Sequence, residues 1–415
     1  MRVVVFGAGY AGLTLTQRLE SSLPDSVELL LVDETETHLV RHELHRLIRR
    51  PDVIHAIEVP LGSVLDRARV VTGRVDGIDP EAGLATFRDG RVPEVAGEDG
   101  TLAYDYGAVC LGSETAFYDL PGVEEHAIPL KRKEHALSIR DRFLDVCETA
   151  ETGETCRVVI GGGGLSGIQI AGELAALARE RNVPVGPVNG TDATDAGRIE
   201  IVLLEQLETL APGFGSSFQR AIRAALADHG VDVKTKTPVR EATADAVETD
   251  AGTLETDLFV WAGGIRGPDA TAGERPTVRA DLRLTESTFL IGDAGRIVDA
   301  DGRSVPATAS AAIRASETAA ENLTRLVEHA LDESSEFEPS LERYRYSVPG
   351  WAVSVGDEAV AVVGGQVLTG QAARKLKAAI GGGYLASTRA TRQAIQLVQS
   401  ELGLPERGLS DLAER

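Results

Sequence analysis

Cysteine, lysine and aromatic side chains are all scarce in this 415-residue chain, and each shortage narrows its chemistry. Cys110, Cys147 and Cys156 are the whole cysteine complement, and no two of them form a Cys-x-x-Cys pair. A redox dithiol of that kind is excluded, and an intracellular protein without structural disulfides is expected. Only six of the 42 basic residues are Lys, and 64 acidic residues outnumber them, for a net charge of −22. Such a surface repels nucleic acid and anionic lipid. Aromatics make up 4% of the residues. No window holds eighteen uninterrupted apolar residues, so no membrane span is expected. The chain opens directly in a strand, with no charged-then-apolar leader. A cytoplasmic location follows, with contact at the cytoplasmic face of a membrane left open.

With 43% apolar residues the chain is long enough for two or three domains, each with its own core. Its surplus of carboxylates over a few lysines resembles the composition of salt-in halophiles, which bears on habitat and not on function. The organising feature is a strand-turn-helix pattern that recurs about 155 positions later. Arg2-Val3-Val4-Val5-Phe6 predicts a short buried strand, followed by Gly7-Ala8-Gly9-Tyr10-Ala11-Gly12 and a helix through Leu13, Leu15 and Leu19. The second copy runs Arg157-Val158-Val159-Ile160, then Gly161 to Gly167, then Ile168, Ile170, Leu174 and Leu177 at helical spacing.

In such a turn the first glycine permits a sharp reversal, the second lets backbone N–H groups approach a pyrophosphate, and the third lets helix and strand pack closely. Gly7, Gly9 and Gly12 fill these places in the first copy, and Gly162, Gly164 and Gly167 in the second. One copy is common punctuation; two in strand-turn-helix context predict two Rossmann-like lobes. Each copy also has an acidic strand end. Asp33 lies 21 positions past Gly12, the spacing of a carboxylate on a ribose hydroxyl, although a solvated acid is the alternative. Glu205 follows Gly167 by 38 positions, and the excess is explained by a surface loop from Arg181 to Gly197. A carboxylate at Glu205 favours NADH, since it repels the 2′-phosphate of NADPH.

Tyr104 to Ser113, with Gly112, looks like the strand and glycine turn that lead out of the first FAD half in two-dinucleotide-binding, disulfide-reductase-like flavoproteins. Phe289-Leu290-Ile291-Gly292-Asp293-Ala294 resembles their second FAD signature, in which the Asp binds the ribityl chain. Asp257 to Gly264, including Gly263, resembles the strand returning from the NAD lobe to the FAD lobe. Within that superfamily the chain is most similar to the type II NADH dehydrogenases, the single-subunit NADH:quinone oxidoreductases. Supporting stretches are Gly162 to Glu173, Leu210 to Phe214, Pro306 to Ala312 and Val360 to Gly365.

The resemblance implies an α/β fold: an FAD domain over 1–120 and 271–340, interrupted by an NAD(H) domain over 121–270, with a small α+β C-terminal region over 341–415. It implies FAD held by Gly7, Gly9, Gly12, Asp33, Gly112, Asp293 and Ala309, and NAD(H) held by Gly162, Gly164, Gly167, Glu205 and Gly263. Glu173 is implied near nicotinamide and flavin, for electrostatic positioning or proton supply; an exposed helix acid is the alternative. Pro306-Ala307-Thr308-Ala309 predicts a helix start, the helix running to Leu323. In the resembled proteins it points at the flavin, where its dipole stabilises negative charge. The family carries Gln at two places near the quinone where this chain has Ser310 and Arg314, which opens the identity of the acceptor.

The C-terminal segment, with Arg374, Lys375 and Lys377, corresponds to the family's membrane-docking region, but its last helix reads as polar and poorly amphipathic; a solvated or homodimer-forming helix is equally open. His38, His42 and His45 fall on one helical face, yet without a fourth ligand and beside Arg41 and Arg46 they predict no metal site; lining of the flavin cavity is expected instead. The implied function is transfer of hydride from NADH to FAD and of electrons on to a quinone. Alternatives are a reductase with a protein or small-molecule acceptor and a flavin-loaded redox sensor. A sulfide:quinone oxidoreductase needs a cysteine pair that is not evident.

Overall fold

The structure, a computed structural model, describes residues 1–88, 93–97, 99–187, 197–332 and 337–404. The first sheet is parallel throughout, in the order Thr288–Leu290, Tyr106–Val109, Arg2–Phe6, Glu28–Asp33, Arg69–Thr72. The second is also parallel, in the order Ile128–Pro129, Leu258–Trp261, Thr155–Gly161, Arg198–Leu204, Asp232–Lys234. Near-continuous apolar runs form these strands because parallel strands are covered on both faces. Helices Tyr10–Ser22 and Leu165–Glu180 follow the two glycine turns. The strand Thr288–Leu290 pairs with Tyr106–Val109, so the second sheet lies between two parts of the first in sequence.

The internal repeat extends further than the glycine motif. Each sheet is backed by a three-stranded antiparallel meander, Val75–Asp79 with Leu84–Phe87 and Thr101–Ala103 in one case, Val239–Ala242 with Ala246–Thr249 and Gly252–Glu255 in the other. Side chains alternate across each strand. Val3 and Val5 accordingly join the helical side of the core, while Val4 and Phe6 pack under the meander with Ala85, Phe87 and Leu102.

The C-terminal region is a second small sheet, Gly350–Val355 with Glu358–Val363 and Gln366–Thr369, followed by helices Gly370–Ser387 and Thr391–Leu402. It docks on the helix Leu165–Glu180 at Gly172, where a Cβ would lie 2.4 Å from the Gly356 nitrogen. Only glycine permits that approach of backbone to backbone.

Several expectations are corrected here. The last helix is amphipathic: Ala394 and Leu397 are buried, and Leu397 and Val398 lie against Gly381 and Gly382. Two of the three C-terminal cations point inward and do not form a lipid-facing row. Arg374 donates to the Glu401 carbonyl at 2.6 Å. Lys377 is buried, with its Nζ 2.8 Å from Glu43 and 3.5 Å from Glu401. His38 sits in the short strand Thr37–Leu39, while His42 and His45 lie in the 3-10 helix Arg41–Ile48, so the three do not share one helix. The second copy's first strand, expected from Arg157, begins at Thr155 and so includes Cys156. The helix after Thr308 runs from Ala309 to Leu331, beyond the expected end. Of the loop after Arg181, residues 188–196 lie outside the described residues, but Val183 is buried and Val185 bridges Ile199.

Arg46 completes the buried ion network, 3.4 Å from Glu43 and 3.1 Å from Glu401. Burial raises the Glu43 pKa, but Lys377, then His42 and Arg46, outweigh it and hold the carboxyl well below the usual range. Removing one member strands its partners in low dielectric. Lys377→Ala is therefore expected to cost about 3 kcal/mol, read as a lowered unfolding midpoint in denaturant, whereas Lys375→Ala leaves the midpoint unchanged.

Candidate functional site

The two glycine turns are near copies in three dimensions. Gly7 and Gly162 have φ of +102° and +109°. A Cβ on them would lie 2.5 Å from the Cys110 carbonyl oxygen and 2.4 Å from that of Ala262. A Cβ on Gly12 would fall 1.7 Å from the Gly7 oxygen, and one on Gly167 1.9 Å from the Gly162 oxygen. These four glycines are thus required by the fold itself. Gly9 and Gly164 differ: nothing lies within 4 Å of a Cβ built on either. The open side of each turn, at a helix start with no side-chain cap, fits an anion held by backbone N–H groups.

Each strand-end acid reaches back to its own turn. The Ala8 N–H donates to Asp33 Oδ2 at 2.6 Å, and the Thr35 N–H to Oδ1 at 2.9 Å. The Gly163 N–H donates to Glu205 Oε2 at 2.8 Å, and the Leu207 N–H to Oε1 at 2.7 Å. Burial raises the Asp33 pKa, with the Ala8 and Thr35 hydrogen bonds opposing. Both carboxylates stand beside the open side of a glycine turn.

A cavity of about 1440 Å³ begins at the first turn and extends beneath the C-terminal sheet. Gly7, Gly9, Asp33, Gly112, Asp293, Ala309, Ser310 and Arg314 all line it. Gly12 does not, because it is packed beneath Gly7. Gly162, Gly164, Gly167 and Glu205 surround the second turn outside this cavity, though Leu165, Ser166 and Gln169 of the following helix reach its wall. Gly263 is a packing glycine: its Cβ would sit 2.3 Å from the Trp261 ring, whose Nε1 donates to the Ala116 carbonyl at 2.8 Å. The helix over the cavity is capped by Thr308, whose hydroxyl accepts from the Ala311 N–H at 3.2 Å.

Glu173 lies one turn below Gln169 and does not line the cavity. It is only 2% exposed. Its Oε2 is 2.9 Å from Arg49 Nε, a charge contact without hydrogen-bond alignment, and its Oε1 is 4.0 Å from His45 Nε2. Burial pushes its pKa up to about 7, with Arg49 opposing. His45, which does line the cavity, stands 3.5 Å from Gln169 Nε2 and 3.2 Å from Ser354 Oγ. Any influence of Glu173 on a ligand therefore passes through His45 and Gln169.

Several wall residues escaped sequence reasoning. Arg41 and Lys131 approach the Gly112 turn; Lys131 Nζ donates to Ser113 Oγ at 3.1 Å, and burial, then Arg41, lowers its pKa to about 8. Two of the chain's six lysines at 131 and 133 were the available signal. Phe214 and Trp351 meet edge to face at 5.2 Å on another wall. Nothing local distinguishes either from a core aromatic.

Because Gly9 has open space and an extended conformation, Gly9→Val should fold normally yet purify without the yellow flavin absorbance, whereas Gly12→Ala should lower the unfolding temperature sharply. The folded pKa of Glu173 exceeds the ordinary carboxylate value of 4.5, so the folded state binds more protons between pH 4.5 and about 7. Its contribution to stability is present below that window and is lost as pH rises through it, by up to about 1.4 kcal/mol per pH unit. Unfolding of Glu173→Gln across this window should lack that slope.

Comparison with known proteins agrees with this architecture. Residues 1–316 match the family described as pyridine nucleotide-disulphide oxidoreductase. The type II NADH:quinone oxidoreductase of Staphylococcus aureus is 24% identical over 404 residues, covering 91% of this chain and 94% of its own. Among solved structures, NDH2 from Plasmodium falciparum in complex with NADH superposes with a TM-score of 0.76 at 14% identity, covering 97% of this chain and 99% of that one. The sulfide:quinone oxidoreductase of Aquifex aeolicus gives 0.74 at 18% identity, covering 94% and 92%. With two glycine turns of one geometry, two strand-end acids bonded back to them and a match over three quarters of its length, the chain belongs to the pyridine nucleotide-disulphide oxidoreductase family.

Proposed function

We propose that the chain is an FAD-dependent NADH:quinone oxidoreductase. The observation that carries this reading is one cavity that starts at the first glycine turn, is reached by the helix of the second turn, and ends among Ile313, Leu376 and Ile380. Gly7, Gly9, Asp33, Gly112, Asp293 and Ala309 hold FAD, with Gly12 packed behind the turn; Gly162, Gly164 and Glu205 form the NADH cradle, with Gly167 and Gly263 as packing glycines behind it and Glu205 disfavouring a 2′-phosphate. Bound flavin supplies hydride acceptance from NADH and electron release to the acceptor. Arg41 and Lys131 offset diphosphate charge, and the helix start at Ala309 favours negative charge developing nearby. Ser310 and Arg314 offer hydrogen-bond donors on the acceptor side.

The cysteines favour this reading over sulfide oxidation. Cys110 lines the cavity; Cys147 and Cys156 are buried away from it, and all three are free. Burial raises the Cys110 thiol well above its ordinary pKa, which disfavours a nucleophilic thiolate. No helix among the described residues is long and apolar enough to cross a membrane. Peripheral contact is proposed at the exposed Lys375 and Ile380, beside the apolar end of the cavity.

Anaerobic stopped flow of the holoprotein tests the whole reading. Rapid bleaching of the flavin by NADH, followed by rapid recovery on adding a short-chain menaquinone analogue, is expected. Bleaching without quinone-driven recovery would redirect the acceptor to a protein or small molecule; no bleaching would favour a redox sensor.

A further inference from the structure

Tyr10 and His42 meet on the cavity wall in an arrangement that neither cofactor cradle requires. Tyr10 is the first residue of its helix, and its Oη accepts the His42 backbone N–H at 3.1 Å. The same oxygen is 2.5 Å from His42 Nδ1. Nδ1 can meet that oxygen as acceptor or as donor; as acceptor it gives the Tyr10 O–H its partner and carries the imidazole proton on Nε2. That Nε2 is buried, has no hydrogen-bond partner, and stands 3.4 Å from Glu43 Oε1.

Other elements close over this pair. Helix Gly370–Ser387 brings Gly381 so near that a Cβ there would be 3.8 Å from His42 Nε2. It also contributes Lys377, while the last helix contributes Glu401. Arg41, Glu43, His45 and Arg46 face the pair from its own segment, and Asp293 lies across the cavity. On the other side of the Tyr10 ring stand His38 and Tyr384, joined to each other at 2.9 Å. Burial lowers the His42 pKa, with Glu43 opposing and Lys377 reinforcing; burial raises the Tyr10 phenol well above its ordinary range. At rest, then, the imidazole is neutral and the phenol keeps its proton.

We propose that Tyr10 and His42 form a proton relay to the quinone, Tyr10 donating to a quinone oxygen and His42, beside Glu43, resupplying Tyr10. The inference rests on the quinone reading above. In the loaded state His42 is an imidazolium whose charge Glu43 balances. Reduction of a quinone takes two electrons and two protons; bound flavin, reduced by NADH, would supply both electrons and one proton. The second proton leaves the Tyr10 O–H as the quinol O–H forms, and the Nδ1 proton of His42 passes to Tyr10 Oη. This returns the neutral imidazole assigned to the resting state, with its proton on Nε2. Between turnovers a water proton enters at Tyr10 as the phenolic proton moves to Nδ1.

Ferricyanide takes electrons without protons and so separates the relay from electron supply. In Tyr10→Phe and in His42→Gln, the ratio of quinone to ferricyanide turnover should fall about 10²-fold, the scale of a lost proton donor. In the wild type, quinone turnover should rise as pH falls through the lowered His42 pKa, below 6.5, and this limb should vanish in His42→Gln. Independently of turnover, nitrogen NMR of histidine-labelled protein should show His42 protonated on Nε2, with its Nδ1 resonance displaced in Tyr10→Phe. An unchanged turnover ratio in both variants, or an unmoved Nδ1 resonance, overturns the relay. If the wild type reduces ferricyanide but no quinone, the acceptor reading fails and the relay with it. Should one variant lose its flavin, the other variant and the wild-type pH profile still decide.

Discussion

One tight approach of backbone to backbone is made twice, where the helix after each glycine turn packs over that turn. At Gly12 and Gly167 no Cβ fits, because the carbonyl oxygens of Gly7 and Gly162 occupy that space. This approach aims each helix start at an opening beside a strand-end acid. With the helix so placed, the opening at Gly9 or Gly164, the carboxylate at Asp33 or Glu205 and the parallel sheet behind them follow as one unit. The polar groups described above are arranged around these two units and a cavity that begins at the first and is reached by the helix of the second.

Charge is handled differently at the surface and inside. Surface acids dominate the composition, yet the acids that matter to the cavity are buried and individually compensated. Glu43 is held ionised chiefly by Lys377, with Arg46, while Glu173, with the Arg49 contact lacking hydrogen-bond alignment, is pushed up to about 7. Two carboxylates near one cavity thus have opposite proton affinities, set by their partners. That separation is useful to a protein moving electrons and protons together.

Legibility varied with the range of the physics involved. The lobes were readable because a glycine's need for positive φ or close approach is expressed within a few residues, and because buried parallel strands are apolar throughout. The helix start at Ala309 was readable from Pro306 to Thr308, whereas the first two helices begin at Tyr10 and Leu165, inside the glycine motifs and ahead of the expected Leu13 and Ile168. The meanders were not read, since their short strands carry little period-2 signal. Lys377 looked like one cation of a surface cluster, because the Glu43 that neutralises it lies 334 positions away.

By itself the sequence determined two glycine turns and their two strand-end acids, written in local spacing, while the C-terminal segment came from family resemblance with its role open between acceptor side, membrane surface and dimer. Only the tertiary structure decided that Glu173 lies beneath the cavity wall, that Gly263 packs against Trp261, and that Tyr10, His42, Glu43 and Lys377 converge. The physical reason is burial. Desolvation and long-range ion pairing set what these polar groups do, and neither exists until the C-terminal helices close over the 3-10 helix Arg41–Ile48.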